Sequence, residues 1–236
     1  MSATVLLVHG AFADGSSWNQ VIARLQRQGI TARAVANPLR GLTADGSYVA
    51  GLIAQTDGDV VLVGHSYGGA VATYAASNAT NVKALVFVGA FGLDQGESAQ
   101  TATGGYPEPD LIAALRPQAV PGSDLPELTI DSGRYHDVFA ADLPADQAAL
   151  GAATQRPISA AGLGEPLAVE PAWRRVPSWW VFGSADRSID PGYQRDTATK
   201  IGATTTELDG GSHSIAVSRP DEVAAVIADA VRSLRS

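Results

Sequence analysis

Short runs of apolar residues alternate along this chain with longer stretches in which apolar positions recur every three or four residues. Residues 5–8 (Val-Leu-Leu-Val) and 60–63 (Val-Val-Leu-Val) are apolar throughout, as strands covered on both faces must be. Further strand patterns at 30–35, 82–88, 178–182 and 204–208 bring the total to about six. Helical patterns lie between them. Trp18, Val21, Ile22 and Leu25 mark a helix over 17–28, stopped by Gly29. Tyr48, Leu52 and Ile53 mark a second, and the small residues of 70–76 a third. Helices over 193–200 and 221–234 close the chain. The alternation predicts an α/β fold: a doubly wound, mostly parallel sheet with helices on both faces.

The alternation breaks between residues 94 and 171. Nine of the 13 prolines fall there, and no long apolar strand does. Helical pieces are expected over 110–115, 131–139 and 145–154. A segment this long between two strands exceeds a loop and reads as an inserted helical cap. The expected organisation is a core of residues 1–93 and 172–236 carrying a cap of residues 94–171.

Composition narrows the function classes. With 45% hydrophobic and 17% charged residues, the chain has the make-up of a globular domain rather than a disordered one. A net charge of −8 argues against a nucleic-acid partner, which a basic stripe would serve. No apolar run is long enough to span a membrane, and no basic leader precedes the first strand, so a cytoplasmic protein is expected. Arginine outnumbers lysine 14 to 2 and alanine is abundant, which reads as a GC-rich bacterial source. The chain has no cysteine, which excludes a thiolate nucleophile or thiolate metal site. His9, His65, His136 and His213 are scattered without metal-ligand spacing, so no metal is expected.

In a sheet of this kind, ligands bind beyond the carboxyl ends of the strands, so chemistry is sought just after them. Gly64-His65-Ser66-Tyr67-Gly68 follows the strand at 60–63 directly and precedes a helix. A serine on so sharp a turn projects its hydroxyl from the top of the sheet, and the glycines let the backbones pass. Ser66 is the candidate nucleophile. A tetrahedral intermediate then needs backbone N–H donors, for which Tyr67 and, in the loop His9-Gly10-Ala11-Phe12, Ala11 are the candidates. In the chain order Ser, acid, His, the base is His213, within Gly210-Gly211-Ser212-His213-Ser214. The acid is sought after a strand. Asp186 in Gly183-Ser184-Ala185-Asp186 is preferred, with Asp190, Asp209 and Asp94 as alternatives. Phe12, Phe91, Tyr135 and Phe139 are candidate substrate contacts, together with Tyr106 and Trp173.

These residues resemble the α/β-hydrolase fold superfamily. The resemblance is to its compact branch of small bacterial carboxylesterases, plant methylesterases and hydroxynitrile lyases. It rests on VLLVHGAFADGSSW (5–18), VVLVGHSYGG (60–69), VFGSADRSI within 177–189, and residues 211–222. It implies a cofactor-free enzyme with a triad at Ser66, Asp186 and His213, acting on a small-molecule ester. Relatives that remove halide or open epoxides carry aspartate where Ser66 stands. The plant lyases carry threonine at the position of Gly10 and lysine at that of Ser214. Thioester, lactone or amide cleavage, non-hydrolytic lyase or perhydrolase chemistry, and ligand binding by a receptor remain alternatives at this stage, as do monomer and homodimer.

Overall fold

The computed structural model describes residues 3–234. The first half of the core contains β1 (Thr4–Val8), α1 (Asn19–Arg27), β2 (Thr31–Val35), α2 (Leu42–Ala54), β3 (Val60–His65), α3 (Tyr67–Ala75) and β4 (Val82–Val88). An excursion follows, with α4 (Ala99–Ala102), α5 (Asp110–Ala114), β5 (Leu115–Gln118), β6 (Glu127–Ile130), α6 (Tyr135–Phe139), α7 (Ala145–Thr154), β7 (Ile158–Ser159) and α8 (Ala160–Gly164). The chain then returns through β8 (Ser178–Gly183), α9 (Pro191–Lys200), β9 (Thr204–Leu208), α10 (Ile215–Ser218) and α11 (Pro220–Ser233).

The main sheet has the order β2-β1-β3-β4-β8-β9, and every pairing in it is parallel. Side chains on a strand alternate between faces, so a fully apolar strand feeds two cores. Leu6, Val8, Val60 and Leu62 face a core shared with α2, α3, α9 and the excursion. Val5, Leu7, Val61 and Val63 face a second core, built with α1 and α11. The edge strands carry exposed polar side chains, Arg33 on β2 and Thr204, Thr205 and Glu207 on β9. Such edges do not invite a further strand to pair.

The excursion holds the helices that the sequence announces, and also a three-stranded antiparallel sheet that it does not, in the order β5-β6-β7. These strands are two to four residues long and include Arg116, Pro117 and Gln118. That is too short and too polar to produce an alternating pattern. No described helix is long and apolar enough to cross a membrane.

Chain order and sheet order together create the crevice. From β1 the chain steps outward to β2, then crosses back over β1 to β3. The connections leaving the carboxyl ends of β1 and β3 therefore diverge, which is where sheets of this class bind ligands.

Candidate active site

Ser66 stands between β3 and α3 with φ 55° and ψ −126°. A side-chain-bearing residue rarely adopts this conformation, and the surroundings must enforce it. The Ser66 N–H donates to the Val88 carbonyl at 3.2 Å, and its own carbonyl accepts from the N–H groups of Gly69 (2.9 Å) and Phe91 (3.2 Å). The loop after β1 presses on the same turn. A Cβ at Gly68 would lie 2.4 Å from the Val8 carbonyl oxygen. Tyr67 opens α3, so its N–H has no acceptor within the helix. Its phenol donates to Asp45 Oδ2 at 2.7 Å, and Asp45 also accepts from the Arg40 N–H at 3.0 Å, anchoring the turn from below.

His213 and Asp186 form a buried pair. His213 Nδ1 is 2.8 Å from Asp186 Oδ2, with side-chain exposures of 1% and 0%. An ionised carboxylate only accepts, so the proton of this bond sits on Nδ1 and the lone pair on Nε2. Nε2 is buried and has no protein hydrogen-bond partner. Asp186 Oδ1 accepts from the N–H groups of Ser188 (2.8 Å) and Ile189 (3.0 Å). Its Oδ2 also accepts from Gln194 Nε2 at 2.9 Å.

The other acids are occupied elsewhere. Asp190 caps α9 by accepting from the Tyr193 N–H at 3.1 Å, with Pro191 in the first helical turn. Asp94 pairs with Arg174 and Lys200. Asp209 is exposed and accepts from Ser184 Oγ at 3.4 Å.

The remaining histidines have structural partners. His65 Nε2 donates to the His213 carbonyl at 3.0 Å. Burial, reinforced by the neighbouring His213, pushes the His65 pKa down to about 3. His9 Nδ1 donates to the Gly10 carbonyl at 2.9 Å, and Nε2 accepts from the Asn37 N–H at 3.0 Å. Burial lowers its pKa as well. His136 reaches the Leu143 carbonyl at 2.9 Å.

The two depressed histidines set a pH response. The unfolded chain takes up the His65 proton near the ordinary value of 6.5, whereas the folded protein takes it up near 3. The His65 contribution to stability is therefore whole above pH 6.5 and is lost as pH falls towards 3, at about 1.4 kcal/mol per pH unit for a full proton of difference, and the lowered His9 acts in the same direction. Urea unfolding midpoints should fall with acidification across this window. His65→Gln, which keeps a donor for the His213 carbonyl, should flatten the slope by about one proton.

A cleft of about 490 Å³ opens beside Ser66. Ala11, Phe12, Phe91 and Tyr106 line it. Tyr135 and Phe139, expected at the substrate, are not among its lining residues. They sit four residues apart on α6 and share one face of it. Their rings meet in a tilted contact at 5.0 Å, and Phe139 packs against the His213 imidazole at 4.9 Å and against Phe12 at 6.2 Å. Trp173 is also absent from the lining; its indole N–H donates to the Leu93 carbonyl at 3.0 Å.

The sequence reading missed the ties between the excursion and these loops. Ser188 Oγ donates to the Val138 carbonyl (2.7 Å) and Ser214 Oγ to the Phe139 carbonyl (2.8 Å), while Ser212 Oγ bonds Asp142. The end of α6 thus holds residues flanking both Asp186 and His213. Serines beside the candidate residues were visible in the sequence, but their partners lie 50 to 75 residues away.

The fold and this crevice are those of the alpha/beta hydrolases, and the chain belongs to the alpha/beta hydrolase family, which matches residues 5–226. Three solved structures illustrate the shared fold. A pyrethroid hydrolase from Sphingobium faniae JZ-2 has a TM-score of 0.80 at 21% identity, covering 99% of this chain and 98% of its own. Polyneuridine aldehyde esterase has a TM-score of 0.81 at 20% identity, covering 97% and 99%. A methylesterase from Arabidopsis has a TM-score of 0.80 at 17% identity, covering 98% and 99%. No curated protein sequence matches the chain.

Proposed function

We propose that this protein is a serine hydrolase of small, uncharged carboxylic esters, with Ser66, His213 and Asp186 as its triad. The observation that carries the reading is the buried Asp186–His213 pair, which leaves His213 Nε2 without a protein hydrogen-bond partner, in a fold that holds Ser66 on a strained turn after β3. His213 Nε2 takes the Ser66 hydroxyl proton as Oγ bonds to the ester carbonyl carbon. The N–H groups of Ala11 and Tyr67 hold the resulting oxyanion. The intermediate collapses as His213 gives the proton to the departing alcohol, leaving an acyl-Ser66 ester. A water, deprotonated by His213, then attacks that ester, releasing the acid and restoring Ser66. Asp186 stays ionised throughout and stabilises the imidazolium. Residues 94–171 act as a cap that roofs the cleft and selects substrates.

The names of the structural relatives, two esterases and a pyrethroid hydrolase, favour ester chemistry. Cyanohydrin cleavage is disfavoured by two local features. A Cβ at Gly10 would lie 2.6 Å from the Ser66 Cβ, so a threonine there does not fit this loop. Ser214, at the position of the lyases' lysine, spends its hydroxyl on the Phe139 carbonyl.

The cleft lining favours neutral substrates. It includes no lysine, arginine or histidine, and its one ionisable carboxyl is Glu108. A carboxylate moved from water into such a site loses hydration without gaining a partner. The enzyme should turn over p-nitrophenyl butyrate, and should process the p-nitrophenyl ester of succinic acid with kcat/KM lower on the order of 10- to 100-fold. Measuring both esters at pH 7.5 tests the reading. No turnover of the neutral ester would overturn it, and equal turnover of the two would overturn the charge preference.

A further inference from the structure

We infer that Gln194 is a positioning residue that locks the carboxylate of Asp186 in the plane from which it can orient His213. The inference rests on the triad reading above and adds a residue that neither the motifs nor the chain order reveal.

Gln194 lies in the first turns of α9 and is fully buried. A glutamine withdrawn from water must satisfy both ends of its amide, and each end here has a partner. Nε2 donates to Asp186 Oδ2 at 2.9 Å and to the Ile189 carbonyl at 3.2 Å. Oε1 accepts from the Trp180 indole N–H at 3.4 Å. This set fixes the orientation of the amide. Turned over, Oε1 would face two acceptors and the NH2 group would face an indole donor.

The consequence falls on Asp186. Each carboxylate oxygen accepts two hydrogen bonds: Oδ1 from the Ser188 and Ile189 amides, and Oδ2 from His213 and Gln194. The two amides hold one oxygen but leave the group free to rock about it. Gln194 closes that motion from the far side of Oδ2, so the oxygen stays where His213 Nδ1 meets it at 2.8 Å. Trp180, which anchors Gln194, is itself fixed by stacking on Phe87 at 4.7 Å. The scaffold behind the acid thus runs from the sheet to its carboxylate without a solvent-exposed link.

The test uses the full-length protein with Gln194→Leu and Gln194→Glu, and Ser66→Ala as the control for the triad reading. Gln194→Leu keeps the volume and removes the donor. It should lower kcat about 10- to 100-fold with KM within about twofold, as loss of a hydrogen bond to a charged group acting through the base would. The downfield proton resonance of His213 Nδ1–H should also shift or broaden. Gln194→Glu carries a pH signature. A protonated glutamic acid can donate to Asp186, whereas its ionised form repels it. Activity should therefore approach that of the wild type at low pH, and the profile should gain a descending alkaline limb that the wild type lacks.

Wild-type kcat and an unshifted resonance in Gln194→Leu would overturn the inference. If that variant does not fold, a Gln194→Glu profile parallel to the wild type would do the same. The resonance does not depend on turnover. A wild-type protein without ester activity would therefore sink the functional reading alone and leave the role of Gln194 to be decided by the spectrum.

Discussion

Replacing Ser66 with alanine is expected to lower kcat for p-nitrophenyl butyrate by ten-thousand-fold to about a million-fold, with little change in KM or Tm. The change removes one oxygen from a residue that is only 7% exposed, and among the described residues no side chain hydrogen-bonds to that oxygen. The strained backbone, φ 55°, is held by main-chain hydrogen bonds from Gly69 and Phe91 and to Val88, all of which alanine retains. Stability should therefore stay put while the proposed nucleophile disappears. The oxyanion donors are backbone groups and survive the substitution, so a small residual rate above water is expected. Steady-state kinetics together with a thermal melt decide the matter. If Ser66→Ala retains a tenth or more of the wild-type kcat, Ser66 is not the nucleophile.

Asp186→Asn is expected to cost about ten-thousand-fold in kcat, nearly as much, although it alters no volume. The local hydrogen bonds dictate how the asparagine must sit. The amides of Ser188 and Ile189 demand an acceptor where Oδ1 lies, so the asparagine oxygen goes there and its NH2 group faces His213. An NH2 group donates to Nδ1, which forces the imidazole proton onto Nε2. A ring protonated at Nε2 cannot accept the proton of Ser66. The same NH2 group also meets the NH2 of Gln194, leaving two donors face to face. Asp190→Asn, by contrast, should leave kcat within about threefold, because asparagine caps a helix as well as aspartate does. The comparison is made with one ester at its pH optimum. An Asp190→Asn loss exceeding that of Asp186→Asn would reverse the assignment of the acid.

The core fold was legible because its signals are local. Each buried strand needs apolar side chains on both faces, and residues 60–63 and 82–88 declare this within a few positions. The elbow was legible for a similar reason, since a strand, a tight turn and a helix must follow one another directly. Even so, α3 begins at Tyr67, well before the small-residue pattern at 70–76 that first marks it. Residues of the elbow belong to the helix by backbone geometry rather than by hydrophobic period. The small sheet of the excursion escaped because its strands are short, polar and paired across distant segments, Leu128 with Ile158 for example. Nothing within a short window encodes such a pairing. Tyr135 and Phe139 show the complementary limit: aromatic character marks burial, but the partner they cover, the His213 ring, is set by how α6 packs.

From sequence alone came the strand-and-helix alternation, the serine on its glycine-flanked turn, and a short set of acids and histidines in a workable chain order. Patterning and turn chemistry act between near neighbours, and near neighbours are what a sequence displays. The tertiary structure alone decided which acid meets His213. Asp186 and Asp190 differ by four positions, yet one carboxylate turns to the imidazole at 2.8 Å while the other caps α9. It alone brought Gln194 behind that carboxylate, and α6 against the loops that carry Asp186 and His213. Directional hydrogen bonds between segments far apart in the chain depend on how the layers pack, and only the packed molecule specifies them.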